Sequence, residues 1–218
     1  MLYEDRLQAG ELLATEIAAG LEGVELATRV YGLPRGGIPV AFPVAQRLNC
    51  PLEVLAAKKI ALPSNPELAL GAITPDGTTV WTKSSFLNRK NPQELEKARE
   101  EAYQSAIALQ EQFNPHCPRL AVENTIVIIV DDGIATGMTM MTAVKALGKQ
   151  NPAQIWVAAP VAPPGMKEKF EQSRDAFGSV FDLRAIILQT PDPFFNVGRF
   201  YKKFSQISTA EAISYLQC

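Results

Sequence analysis

The run Val127-Ile128-Ile129-Val130-Asp131-Asp132-Gly133-Ile134-Ala135-Thr136-Gly137-Met138-Thr139 sets adjacent carboxylates, glycines and hydroxyls at the end of an apolar, β-branched stretch. The apolar part reads as a buried strand. The Gly/Thr part reads as a turn, and residues 140–147 carry a helical pattern. A turn leading into a helix offers backbone N–H groups and a partial positive charge to a phosphate. Carboxylates such as Asp131 and Asp132 accept hydrogen bonds from sugar hydroxyls or hold a hydrated Mg²⁺. Helix capping accounts for one acid, but not for both acids together with both glycines and both threonines. The absence of Gly-Lys-Ser/Thr after the turn excludes a P-loop, and the spacing is not that of a dinucleotide-binding GxGxxG.

Two further clusters have the types that handle phosphate. Leu33-Pro34-Arg35-Gly36-Gly37 follows a candidate strand at 25–30. Its glycines let backbone approach a ligand and Arg35 adds charge. Lys58-Lys59 ends a candidate strand at 52–57 and opens a Pro/Gly-rich excursion of the length usually reserved for function.

The elements that must position these clusters alternate. A helix is expected over residues 5–20, where Leu7, Leu12, Leu13 and Ile17 recur near the helical period. Another is expected over 38–48, with Pro39 in its first turn. Pairing of 71–73 with 78–81 across Asp76-Gly77 makes a hairpin, and 91–113 reads as a long polar helix starting at Pro92. Strands at 126–130 and 155–160, a helix at 165–172, strand candidates at 179–183 and 185–188, and a short helix at 210–216 complete the chain. Strands that are near-continuous apolar runs between helices predict an α/β protein with a parallel sheet covered on both faces. Ligands sit at the carboxyl ends of such strands, where all three clusters fall.

The 218 residues suffice for one domain, and 47% hydrophobic with 20% charged residues is ordinary for a globular chain. A net charge of −2 without a Lys/Arg run argues against a nucleic-acid partner. The apolar runs are too short to span a membrane, and the charged N-terminus does not read as a signal peptide. Cys50, Cys117 and Cys218 form no CxxC, which fits a reducing, cytoplasmic setting. His116 is the single histidine and falls in a Pro-flanked loop.

The acidic run closely resembles the phosphoribosyl diphosphate signature of the type I phosphoribosyltransferases, position by position. That resemblance implies a Rossmann-like parallel sheet flanked by helices, with a small hood. The whole of 1–218 would be one domain, with the hood mainly at 191–218, a lid loop at about 58–83 and a helical insertion at about 91–113. Asp131 and Asp132 would receive the ribose hydroxyls and meet Mg²⁺ weakly, through water. Gly133, Ile134, Ala135, Thr136, Gly137 and Thr139 would wrap the 5-phosphate. Arg35, Gly36 and Gly37 look like the diphosphate loop, and Lys58 or Lys59 like the catalytic lysine of the lid. Residues 59–77 and Val197-Gly198-Arg199-Phe200-Tyr201 are similar to an uncharacterised bacterial subgroup of the family.

Pro191–Gly198 resembles the purine-salvage hood, with Phe195, then Phe194, as the stacking aromatic beside Val197. Two departures bear on the acceptor. Ala135 stands where 6-oxopurine enzymes carry an acid, and Tyr201-Lys202 where they carry a hood aspartate. Ala135 is instead what the adenine and orotate branches carry. The expected activity is pentosyl transfer from phosphoribosyl diphosphate to a nitrogen base, with release of diphosphate, by a homodimer. The alternative is a regulatory protein that binds phosphoribosyl diphosphate or a nucleotide without turnover. A sugar-phosphate hydrolase is weaker, since it needs more acids than Asp131 and Asp132.

Overall fold

The computed structural model describes residues 2–62, 65, 68–82, 91–118, 120–173 and 181–216. Five strands form a parallel sheet: β1 (Thr28–Gly32), β2 (Leu52–Val54), β6 (Ile126–Val130), β7 (Gln154–Val161) and β8 (Asp182–Gln189), in the order β2-β1-β6-β7-β8. A second, antiparallel sheet holds β3 (Lys58–Ile60), β4 (Gly71–Ile73) and β5 (Thr79–Trp81). The expected strands at 179–183 and 185–188 are a single strand, β8; residues 179 and 180 lie outside those described.

The central strand β6 shows why the sheet is covered twice. All five of its residues are fully buried. Ile126, Ile128 and Val130 pack under α1 (Arg6–Gly20) and α2 (Gly37–Leu48), against Leu13, Ile17, Val40 and Val44. Val127 and Ile129 point the other way, onto α4 (Met138–Gly148), where Met140, Val144 and Leu147 meet them. Alternation along a strand therefore feeds two cores. Burying each of these side chains contributes about 1.5–3 kcal/mol.

Asp5 caps α1 by accepting from the Gln8 N–H at 3.0 Å. The helix then crosses α2 at Gly10, where a Cβ would stand 2.5 Å from the Val40 carbonyl oxygen. α5 (Met166–Ser173) buries Phe170 on the α4 side.

The small sheet corrects the expectation of a loop after Lys58. The strand foreseen at 52–57 stops at Val54, and both lysines belong to the next strand, β3, which Lys58 opens. The hairpin across Asp76-Gly77 is present, pairing Ala72 with Val80. Residues 63, 64, 66, 67 and 83, also part of the expected lid, lie outside those described. α3 (Pro92–Phe113) starts with Asn91 accepting from the Gln93 N–H and sets Ala98 and Ala102 against Ile60 and Ile73. α4 grips the hairpin from the other side. Lys145 Nζ donates to the Thr79 carbonyl at 3.1 Å, and Lys149 Nζ reaches Asp76 Oδ2 at 3.2 Å as well as the Thr78 hydroxyl.

The C-terminal segment folds back over β6 and β7 and joins the N-terminus. The Leu2 and Tyr3 N–H groups donate to the Phe200 carbonyl, and the Lys202 N–H donates to Tyr3 O at 2.9 Å. Tyr3, fully enclosed, rests on Tyr201 with ring centroids 5.4 Å apart. α6 (Thr209–Ser214) closes the chain with Ser208 as its cap.

Candidate functional site

β1 and β6 are neighbours in register, Gly32 beside Val130, so the loops that leave them start side by side. The chain leaves β1 toward β2 on one side, and β6 leads to β7 on the other. This is the switch point at which open parallel sheets bind ligands. The Leu33 N–H donates to the Val130 carbonyl at 2.9 Å, which keeps the Arg35–Gly37 turn against the acids. The Pro34–Arg35 peptide is cis. Glycine is required where the loops touch. A Cβ on Gly37 would lie 2.7 Å from Val130 O and 2.9 Å from the Asp131 Cα. One on Gly36 would collide with the Asp132 carboxylate.

Past Val130 the alternation of β6 continues into the acids. Asp132 falls on the α1 side. There Arg6 Nε donates to its Oδ2 at 2.8 Å, with side chains 9% and 15% exposed. Asp131 Oδ1 accepts from the Asp132 N–H at 2.8 Å. Burial raises the Asp131 pKa, and the Asp132 charge raises it further. Burial also raises that of Asp132, against the pull of Arg6. Tyr201 donates its hydroxyl to the Asp132 carbonyl. Its phenol titrates above the ordinary range because of its burial.

The turn after the acids is held open from outside. The Ile134 N–H donates to Val161 O at 2.9 Å, and Lys169 Nζ donates to Thr136 O at 2.8 Å. Gly137 enters α4 at φ 78°, the left-handed region that favours glycine. Among the described residues, the backbone N–H groups of Ala135, Thr136 and Gly137 have no protein acceptor. Ala135 and Thr136 are exposed, and Thr139 is half-buried in the first turn of α4. Unclaimed donors at a helix start are what an anion needs.

The lysines separate. Lys58 is half-buried and Lys59 exposed. Burial, and then the nearby Arg35 charge, lower the Lys58 pKa. Val197 covers Gly133, where a Cβ would meet its methyls at 2.5 Å. Phe195 is 67% exposed with Arg199 over its ring at 5.0 Å, while Phe194 packs on Phe200. His116 ends a short 3-10 turn (Asn114–His116) away from these loops.

A cavity of about 360 Å³ is lined by Arg6, Arg35, Gly36, Asp132, Phe204 and Gln206 among others. That is within the range of small-ligand sites. A larger cavity, about 800 Å³, runs between β5, α4 and α5 along Trp81, Met141 and Lys145 and includes neither aspartate. Of the expected residues, the smaller cavity is lined by Arg35, Gly36 and Asp132, while Asp131, the turn at 133–139, Lys58, Phe195 and Val197 are not among its lining residues. Arg6, Phe204 and Ser205 were not foreseen, and Tyr201 was singled out only for standing, with Lys202, where 6-oxopurine enzymes carry a hood aspartate.

A parallel α/β sheet thus carries a glycine loop and an acidic Gly/Thr loop side by side at its switch point. A family described as "Phosphoribosyl transferase domain" matches residues 7–178, and the chain belongs to it, as the type I resemblance led one to expect. A curated relative from Mycobacterium tuberculosis, strain ATCC 25618 / H37Rv, carries the name "Putative phosphoribosyl transferase Rv0571c" and is 36% identical over 99% of this chain. Its counterpart from strain CDC 1551 / Oshkosh is equally similar, and this chain spans 46% of the length of each. The crystal structure of TT1426 from Thermus thermophilus is similar to the whole chain, with 31% identity, TM-score 0.74 and 98% of that chain covered.

Proposed function

We propose that this chain is a phosphoribosyltransferase, joining a nitrogen base to C1 of phosphoribosyl diphosphate and releasing diphosphate. The observation that carries this reading is the in-register placement of the Arg35–Gly37 turn beside the Asp131–Thr139 turn. One turn suits a diphosphate and the other a 5-phosphate, with the acids between them for the ribose hydroxyls. In this reading the free N–H groups of Ala135, Thr136 and Gly137 bind the 5-phosphate, supported by the Thr136 and Thr139 hydroxyls. Arg35 and the backbone at Gly36 and Gly37 take the diphosphate.

Lys58 rather than Lys59 serves the reaction, since it is half-buried near Arg35, and burial first and then that charge lower its pKa. Phe195 and Val197 flank the base. Bond breaking at C1 builds positive charge on the sugar, so positioning and the carboxylates supply most of the rate.

Among the described residues no trio of acid, histidine or cysteine side chains is grouped for a metal. Asp131 Oδ2 and Asp132 Oδ1 accept from no described donor, which fits a Mg²⁺ that keeps its waters and comes with the substrate phosphates. Asp131 and Asp132 would hold it through that water shell, and it would supply charge neutralisation on the leaving diphosphate. In this reading the protein is cytoplasmic, in keeping with three scattered cysteines, and a homodimer, as the type I resemblance implies.

Titration calorimetry with phosphoribosyl diphosphate and Mg²⁺, followed by a diphosphate-release assay over purine and pyrimidine bases, tests the proposal. Binding and base-dependent release are expected. Ala135 in place of an acid argues against a 6-oxopurine acceptor. Binding without release for any base would instead establish the regulatory alternative.

A further inference from the structure

Arg6 lies just outside the matched stretch 7–178, and its other partners, Phe204 and Ser205, lie beyond the far end. The guanidinium is held through two of its nitrogens and one face of its plane. Nε binds Asp132 Oδ2 at 2.8 Å, and Nη1 donates to the Ser205 carbonyl at 2.9 Å. The Phe204 ring lies against the group's plane, 3.8 Å from its central carbon. Phe204 is itself stacked on Tyr201, whose hydroxyl holds the backbone carbonyl of Asp132. Arg6 and the 201–205 segment thus meet at one aspartate, Arg6 on its carboxylate and Tyr201 on its carbonyl. Gly36 leaves the room for that carboxylate to lie where it does.

This construction decides which oxygen is presented. Oδ2 is committed to Arg6, and Oδ1 has no donor among the described residues. An arginine locked by a carbonyl and an aromatic plane loses little further freedom when its partner binds a ligand. A lysine keeps the charge but not the fork.

We propose that Arg6 is a positioning residue for the sugar: by fixing Oδ2 of Asp132 it turns Oδ1 toward a ribose hydroxyl. The inference rests on the ribose-phosphate reading of the site. Arg6 is itself anchored by the Ser205 carbonyl and the Phe204 ring, which makes the contact a support in this proposal and not a plug.

The test compares the ligand with and without its diol. Calorimetry is run with ribose 5-phosphate and with 2,3-dideoxyribose 5-phosphate, on the full chain and on Arg6→Gln and Arg6→Lys. The unaltered chain is expected to prefer the diol by at least about tenfold. Arg6→Gln is expected to lose most of that preference while binding the dideoxy sugar within about twofold of the unaltered chain, and Arg6→Lys to recover part of it. Full preference in Arg6→Gln overturns the inference. So does equal weakening of both ligands, which marks general support of the fold. Tighter diol binding marks a plug and overturns it as well. If Arg6→Gln does not fold, Arg6→Lys decides: undiminished preference overturns the inference and partial loss supports it. If the unaltered chain shows no preference, the ribose site itself is wrong, a failure separate from that of Arg6.

Discussion

The Tyr201 hydroxyl donates to the main-chain carbonyl of Asp132 across 2.5 Å, tying the C-terminal segment to the tip of β6. Tyr201 is 1% exposed, so the hydroxyl that reaches the carbonyl comes from a packed ring. Tyr201→Phe should cost about 1–3 kcal/mol by leaving that acceptor unpaired. Thermal unfolding would read this as a lower Tm, and an unchanged Tm would show that the bond contributes nothing.

Asp132→Asn and Gly137→Val should each weaken phosphoribosyl diphosphate binding at least tenfold, about 1.4 kcal/mol. The first removes an acceptor for the sugar. The second forces a β-branched residue to φ 78°. Calorimetry on folded variants is the measurement, and undiminished affinity would remove these loops from the site.

Gly37→Ala brings a Cβ to 2.7 Å from a carbonyl oxygen, and both sides of that contact are backbone. The turn must move away from Asp131. A loss of about 1–3 kcal/mol in stability is expected, together with weaker diphosphate binding. Inorganic diphosphate titrated into the variant checks the second effect independently of the sugar.

Lys58→Met should lower the rate of diphosphate release about tenfold if a cation stabilises the leaving group. The same change at the exposed Lys59 should leave it within about twofold. Equal effects would cancel the distinction that burial and Arg35 make between them.

Glu53 gives the pH dependence. Burial lifts its pKa to about 7, although Tyr31 donates to Oε2 at 3.2 Å and Arg29 lies nearby. From the ordinary carboxyl range up to about 7, the folded protein keeps a proton that the unfolded chain has released. Stability therefore falls as pH rises through that window. Glu53→Gln should match the parent at pH 5 and melt higher than it at pH 8. Tm measured against pH settles the sign.

The main sheet was legible because β6 and β7 are unbroken apolar runs bounded by turn residues. The acidic loop was legible because its acids, glycines and threonines stand within a few residues of one another, directly after an apolar strand. β3 was not. The break between Val54 and Lys58 carries no glycine or proline, and it is held by Gln110, which accepts from the Ala56 N–H and donates to Val54 O. Nothing local announces a partner that far along the chain. Arg6 was hidden for the same reason, lying 126 positions from Asp132. An arginine in the first turn of an amphipathic helix looks solvated until the fold brings a carboxylate to it.

α4 has work at both ends. Its first turn faces the unclaimed amides of the acidic loop, and its last turns hold the hairpin of the small sheet through Lys145 and Lys149. That sheet begins with Lys58. A rod fastened so cannot slide at one end alone. In the proposed reading, an anion that drew the helix toward itself would pull on the lysine-bearing sheet as well, joining the seating of the sugar's tail to the setting of the side chain at its head.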